Sequence, residues 1–102
     1  MEKNVIWKYE IEIRDDYVIE MPAHAEILYL GVQKRGFTIR QTPDERAYIW
    51  VKLNPYNKGE KRHFKVCGTG HPIENEDEDT TLAYIGTFQF GNGFVGHVFE
   101  II

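Results

Sequence analysis

Val5-Ile6-Trp7-Lys8-Tyr9-Glu10-Ile11-Glu12-Ile13-Arg14 decides the fold class. Val5, Trp7, Tyr9, Ile11 and Ile13 alternate with Lys8, Glu10, Glu12 and Arg14. A period of two puts alternate side chains on opposite sides of an extended chain, so the stretch predicts a strand with one buried face. No window places apolar residues at three-to-four spacing over the roughly ten positions a helix requires.

Working outward, Asp15-Asp16 reads as a turn and Tyr17 to Glu20 as a short strand. Met21-Pro22-Ala23 is a break, because proline restricts its predecessor and lacks an amide donor. Glu26 to Lys34 resumes as a strand, Arg35-Gly36 reads as a tight connection into a strand from Phe37 to Gln41, and Thr42-Pro43-Asp44-Glu45 turns the chain again. Ala47 to Leu53 is apolar enough for a central strand, with Tyr48, Trp50 and Lys52 on one side and Ile49, Val51 and Leu53 on the other. Lys61 to Cys67 sets Phe64 and Val66 among charges, which predicts a strand with a wet edge or face. Leu82 to Phe90 and Phe94 to Ile101 flank Gly91-Asn92-Gly93, a hairpin signal. The expectation is an all-β, single-domain antiparallel sandwich or partly open barrel of seven to eight short strands spanning 1–102.

The composition agrees, at 42 % hydrophobic and 14 % aromatic, since an aromatic excess suits half-buried strands. Cys67 is the single cysteine, which excludes an internal disulfide and fits a reducing compartment. The reading expects neither a signal peptide nor a membrane-spanning segment. Glu74, Glu76, Asp77, Glu78 and Asp79 supply five of sixteen acids, an acidic loop at 74–79 too charged to pack. Without them eleven acids face twelve bases, so the body is near neutral and its charge argues neither for nor against a nucleic-acid partner; none is expected.

His24, His63, His71 and His97 show no HExxH, HxH or His/Cys spacing, so no metal and no cofactor is expected. Gly68-Thr69-Gly70-His71-Pro72 has two readings. Consecutive amides, the Thr69 hydroxyl and His71 can form an anion-binding concavity beside Lys61, Arg62 and Lys65; alternatively the glycines and proline serve a strand-terminating turn. Tyr29, Phe37, Tyr48, Tyr56 and Tyr84 exceed what so small a domain can bury, which leaves rings to stack on a base or fill a partner's pocket.

The blocks Ile19-Glu20-Met21-Pro22, Ile27-Leu28, Ala47-Tyr48-Ile49-Trp50, Arg62-His63-Phe64, Gly68-Thr69-Gly70-His71-Pro72-Ile73, Tyr84-Ile85-Gly86-Thr87-Phe88-Gln89 and His97-Val98-Phe99-Glu100 follow one another in order. Together they resemble a family of short, uncharacterised bacteriophage and prophage proteins. The resemblance implies a virus-derived protein made in the host bacterial cytoplasm. The expected function is that of a non-enzymatic antagonist of a host defence, sequestering a nucleotide-like anion. Gly68, Thr69, Gly70, His71 and Arg62 would hold the anion, with Tyr84 or Trp50 on the base. The alternatives are a protein-binding inhibitor of a host factor or a virion-associated module, and a nucleotide phosphodiesterase using His71 with His97 or His24. Ile101-Ile102 and the surplus aromatics hint at a homodimer.

Overall fold

The computed structural model describes residues 3–73 and 80–102; the expected acidic loop, 74–79, lies outside the described residues. Seven strands build two antiparallel sheets: β1 (Val5–Ile11), β2 (Tyr17–Pro22), β3 (Glu26–Phe37), β4 (Pro43–Leu53), β5 (Gly59–Gly68), β6 (Leu82–Gln89) and β7 (Val95–Ile101). One sheet has the order β1-β4-β3 and the other β2-β5-β7-β6. The two stack as a single-domain sandwich, not closed into a barrel, and among the described residues there is no helix and hence none able to cross a membrane.

The alternation in β1 and β4 sets the first sheet. Val5, Tyr9 and Ile11 pair with Leu53, Ile49 and Ala47 and face the interior, where Ile49 and Val51 are fully buried. Tyr48, Trp50 and Lys52 take the outer face. The second sheet contributes Ile19, Met21, Phe64, Val66, Phe88 and Val98 to the same core. Gly96 lies on the inner side beneath Phe88, whose Cζ would be 2.5 Å from a Cβ there; only a missing side chain lets the ring cover that strand.

Three expectations are corrected. Arg35-Gly36 is not a connection: β3 runs on to Phe37, with a one-residue bulge between Lys34 and Phe37 that Gly36 accommodates at φ 94. The turn falls at 38–42, where the Thr38 amide donates to Thr42 O at 2.8 Å and Gln41 adopts φ 63. There is therefore no strand from Phe37 to Gln41, and the described strands number seven. Nor does β5 have a wet edge, although Lys61 and His63 keep part of its outer face wet. It lies between β2 and β7, and Phe64, Lys65, Val66 and Cys67 are all buried.

Arg62 explains how a charged sequence occupies a central strand. It faces the interior beside Phe64, where Nε and Nη2 donate to the two Glu100 carboxylate oxygens at 2.6 and 2.7 Å, and Nη1 donates to Ala25 O at 2.7 Å. The Glu100 hydrogen bonds raise the Arg62 pKa above its ordinary value, against the opposing pull of burial. Such planar two-point pairing satisfies both charges away from bulk water. Leu30 of β3 approaches Gly86 of β6, whose absent Cβ would lie 3.1 Å from Leu30 Cδ2; there the two sheets draw together along one side.

Candidate functional site

The outer face of the four-stranded sheet carries two rows across its strands. The pairings Lys65↔Phe99↔Tyr84 and Cys67↔His97↔Thr87 cross β5, β7 and β6. Straight alternation would send Tyr84 and Thr87 to opposite faces. A bulge at Ile85, between the Tyr84↔Phe99 and Gly86↔Val98 pairs, resets the parity and brings both outward. Tyr84 Oη thus sits 2.5 Å from Thr87 Oγ1, which is 2.9 Å from His97 Nδ1; His97 Nε2 is 2.7 Å from Thr69 Oγ1. Four side chains from three segments form one hydrogen-bonded line, with the Tyr84 ring tilted on Phe99 at 5.5 Å. A neutral imidazole donates through one nitrogen and accepts through the other, so one of the two threonine hydroxyls beside His97 accepts from it and the other donates to it.

The Gly68 to His71 segment places Thr69 at the end of this line. His71 N–H donates to Gly68 O at 3.2 Å, closing a four-residue turn, and Gly70 takes φ 83, the left-handed position that favours glycine. The His71 amide is thereby used within the turn. A cleft of about 230 Å³ lies between this turn and Gly93, Phe94 and Val95. Lys65 and Cys67, at the β5 end of the two rows, are buried, and neither is without a partner.

The residues expected to bind ligand divide among three places. Thr69 and Tyr84 share the line, with Gly68, Gly70 and His71 in the adjoining turn. Arg62 lies between the sheets, committed to Glu100, and that pair lines with Tyr84 and Ile85 a cleft of about 290 Å³ beside β3; the alternation of β5 sets Lys65 on the outer face. Trp50 is on the far side of the molecule, on the outer face of the three-stranded sheet, 5.6 Å from Tyr29 and 6.2 Å from Tyr48 by ring centroid. There Tyr29 folds over Gly31, where a Cβ would meet Tyr29 Cε2 at 2.6 Å, and Lys8 Nζ stands 4.5 Å over the Tyr48 ring.

Thr87 and Phe99 were not anticipated. Counting back from Gly91-Asn92-Gly93 does find the first, since an unbroken hairpin register opposes Thr87 to His97. Phe99 is hidden from that count by the bulge. A cleft of about 590 Å³ between the 38–42 turn and the β6–β7 turn holds none of the expected residues; Glu45 Oε1 accepts the Gly91 amide at 2.6 Å across it. Among the described residues no three His, Cys, Asp or Glu side chains gather as a metal set.

A family model described as "Domain of unknown function (DUF7352)" matches residues 2–102. The chain belongs to this family. No curated protein and no solved structure matches it. The DUF7352 match spans both sheets and every residue of the Thr69–His97–Thr87–Tyr84 line.

Proposed function

We propose that this DUF7352 protein is a non-enzymatic binding module that captures a small nucleotide-like anion on the outer face of its four-stranded sheet. In a phage or prophage setting, sequestering such a signal would blunt a host defence. The single observation that supports this reading is the ordered line Thr69–His97–Thr87–Tyr84 beside Phe99. With three hydrogens spent on its own bonds the line keeps one donor for a phosphate or sugar oxygen, while Tyr84, 61 % exposed, offers a ring to a base. His97 has both ring nitrogens held by threonine hydroxyls, an arrangement suited to positioning; a general base would have to give up one of those bonds.

Thermal unfolding against cyclic and linear signalling nucleotides tests the proposal. A binder at a hundred times its Kd raises stability by about 2.7 kcal/mol. His97→Ala breaks the line at its centre and is expected to weaken binding at least about tenfold, the equivalent of one good hydrogen bond. Unchanged melting across the whole panel would reject ligand capture.

A second reading rests on the opposite face. Tyr29, 64 % exposed, lies 5.6 Å from Trp50 by ring centroid, a pair of rigid aromatic anchors of the kind that dominates protein interfaces. If a host protein docks there, a stoichiometric partner recovered from host lysate is retained by His97→Ala and lost with Tyr29→Ala. Recovery that ignores Tyr29→Ala would dismiss that surface.

A further inference from the structure

The cleft of about 290 Å³ that Arg62 and Glu100 line opens between the two sheets, beside the place where β3 and β6 draw together at Leu30 and Gly86. Next to that contact each strand carries an unpaired residue, Leu28 in β3 and Ile85 in β6, and a bulge bends its strand locally. Leu28, Leu30 and Ile85 give the cleft apolar walls. Tyr29 and Tyr84 border it, 64 % and 61 % exposed. Stability alone does not call for an ion pair at such a place, since apolar side chains of similar volume hold a buried position about as well.

The hydrogen bonds of the pair decide what the cleft can hold. Arginine has five N–H groups. Nε and one Nη2 hydrogen go to the Glu100 oxygens, and Nη1 donates to Ala25 O and faces Met21 Sδ at 3.6 Å. These bonds leave one Nη2 hydrogen over, and Glu100 Oε1, 2.7 Å from that nitrogen, receives only one hydrogen from Arg62. The two charges cancel, so the pair offers no attraction to a free phosphate or carboxylate. What it offers is a donor beside an acceptor, between apolar walls.

We infer that this cleft binds a neutral aminoheterocycle of the adenine or cytosine type, its ring nitrogen accepting from Arg62 Nη2 and its amino group donating to Glu100 Oε1. Adenine presents N7 beside its 6-amino group, and cytosine presents N3 beside its 4-amino group. Each is the complement of the edge that Arg62 and Glu100 make together. A space of this size lies at the small end of ligand sites and suits one planar ring system. Tyr84 also ends the outer-face line, but the inference does not rest on ligand capture there, because it needs no phosphate.

Nucleosides test it, since they carry the base without the phosphate. In a methyl-detected NMR titration, adenosine or cytidine is expected to shift the Leu28, Leu30 and Ile85 signals with one common Kd. Purine riboside, which lacks the amino group, should bind at least about tenfold more weakly than adenosine, the equivalent of one good hydrogen bond. Inorganic phosphate should leave these signals in place. Leu28→Trp fills the cleft from a position 45 % exposed and should weaken nucleoside binding at least about tenfold. Ile39→Trp, at a fully exposed position in the 38–42 turn, should leave it unchanged. Methyl signals unmoved by millimolar adenosine and cytidine, equal affinity for adenosine and purine riboside, or binding indifferent to Leu28→Trp would overturn the assignment. Nucleotides that raise the melting temperature while nucleosides leave the cleft methyls unmoved would overturn it too, with capture on the outer face left standing.

Discussion

Glu100→Ala is expected to destabilise the domain by about 3–5 kcal/mol, because it leaves a desolvated guanidinium without its counter-charge. The Arg62 and Glu100 side chains are 17 % and 15 % exposed, so solvent screening removes little of that effect. A domain of this size holds roughly 5–15 kcal/mol of stability in all, and the loss corresponds to a fall in Tm of more than ~10 °C. Urea unfolding followed by tryptophan fluorescence measures it. A loss under ~1 kcal/mol would mean that the pair behaves like an exposed one.

The paired replacement Arg62→Met with Glu100→Leu sharpens the point. Removing both charges is expected to restore most of what Glu100→Ala loses, since well-packed apolar side chains often equal a buried pair in stability. Recovery should stop short of complete, because Arg62 also donates to Ala25 O, and methionine leaves that carbonyl without its partner.

Phe64→Ala is the second large effect, expected at about 3–5 kcal/mol. Phe64 is fully buried and pairs with Tyr17 on one side and Glu100 on the other. Glu100 is held by Arg62 and is not free to move into the space. The cavity therefore persists, which puts the cost at the upper end of the range. Phe64→Leu retains most of the volume and should lose less than about 1.5 kcal/mol. Equal losses for the two variants would indicate that strand pairing, rather than volume, governs this position.

The all-β sandwich was legible wherever one face of a strand is polar. β1 and β4 announce themselves through their alternation, and the assignment of Tyr48, Trp50 and Lys52 to one face and Ile49, Val51 and Leu53 to the other holds. β5 resisted because its charges are neutralised from afar: the partner of Arg62 lies 38 residues on, and no local pattern encodes that. In β3 a glycine was read as a turn when it serves a bulge, while the real turn at 38–42 uses a left-handed Gln41, a conformation that side-chain type does not signal.

The outer face was legible in part for the same reason. Thr69 and Tyr84 were singled out from different motifs, and what joins them is one unpaired residue, Ile85, whose presence changes no residue type nearby. Arg62 was drawn into the expected site by its neighbours in sequence, but alternation sends adjacent residues of a strand to opposite faces. Trp50 belongs to the other sheet, a separation that depends on strand order rather than on any motif.

The bulge at Ile85 makes the spacing of the Tyr84-Ile85-Gly86-Thr87-Phe88-Gln89 block matter as much as its residues. Conservative substitutions along it leave the geometry standing, whereas straightening the bulge without losing a residue reverses the parity of everything upstream in the strand. Were the ladder to run straight through Ile85, that residue would oppose Phe99 and Tyr84 would turn inward opposite Glu100, although every side chain named in the line were still present. A chain one residue shorter here reaches the same two pairings by plain alternation, so the surface depends on length and bulge together and not on residue types alone.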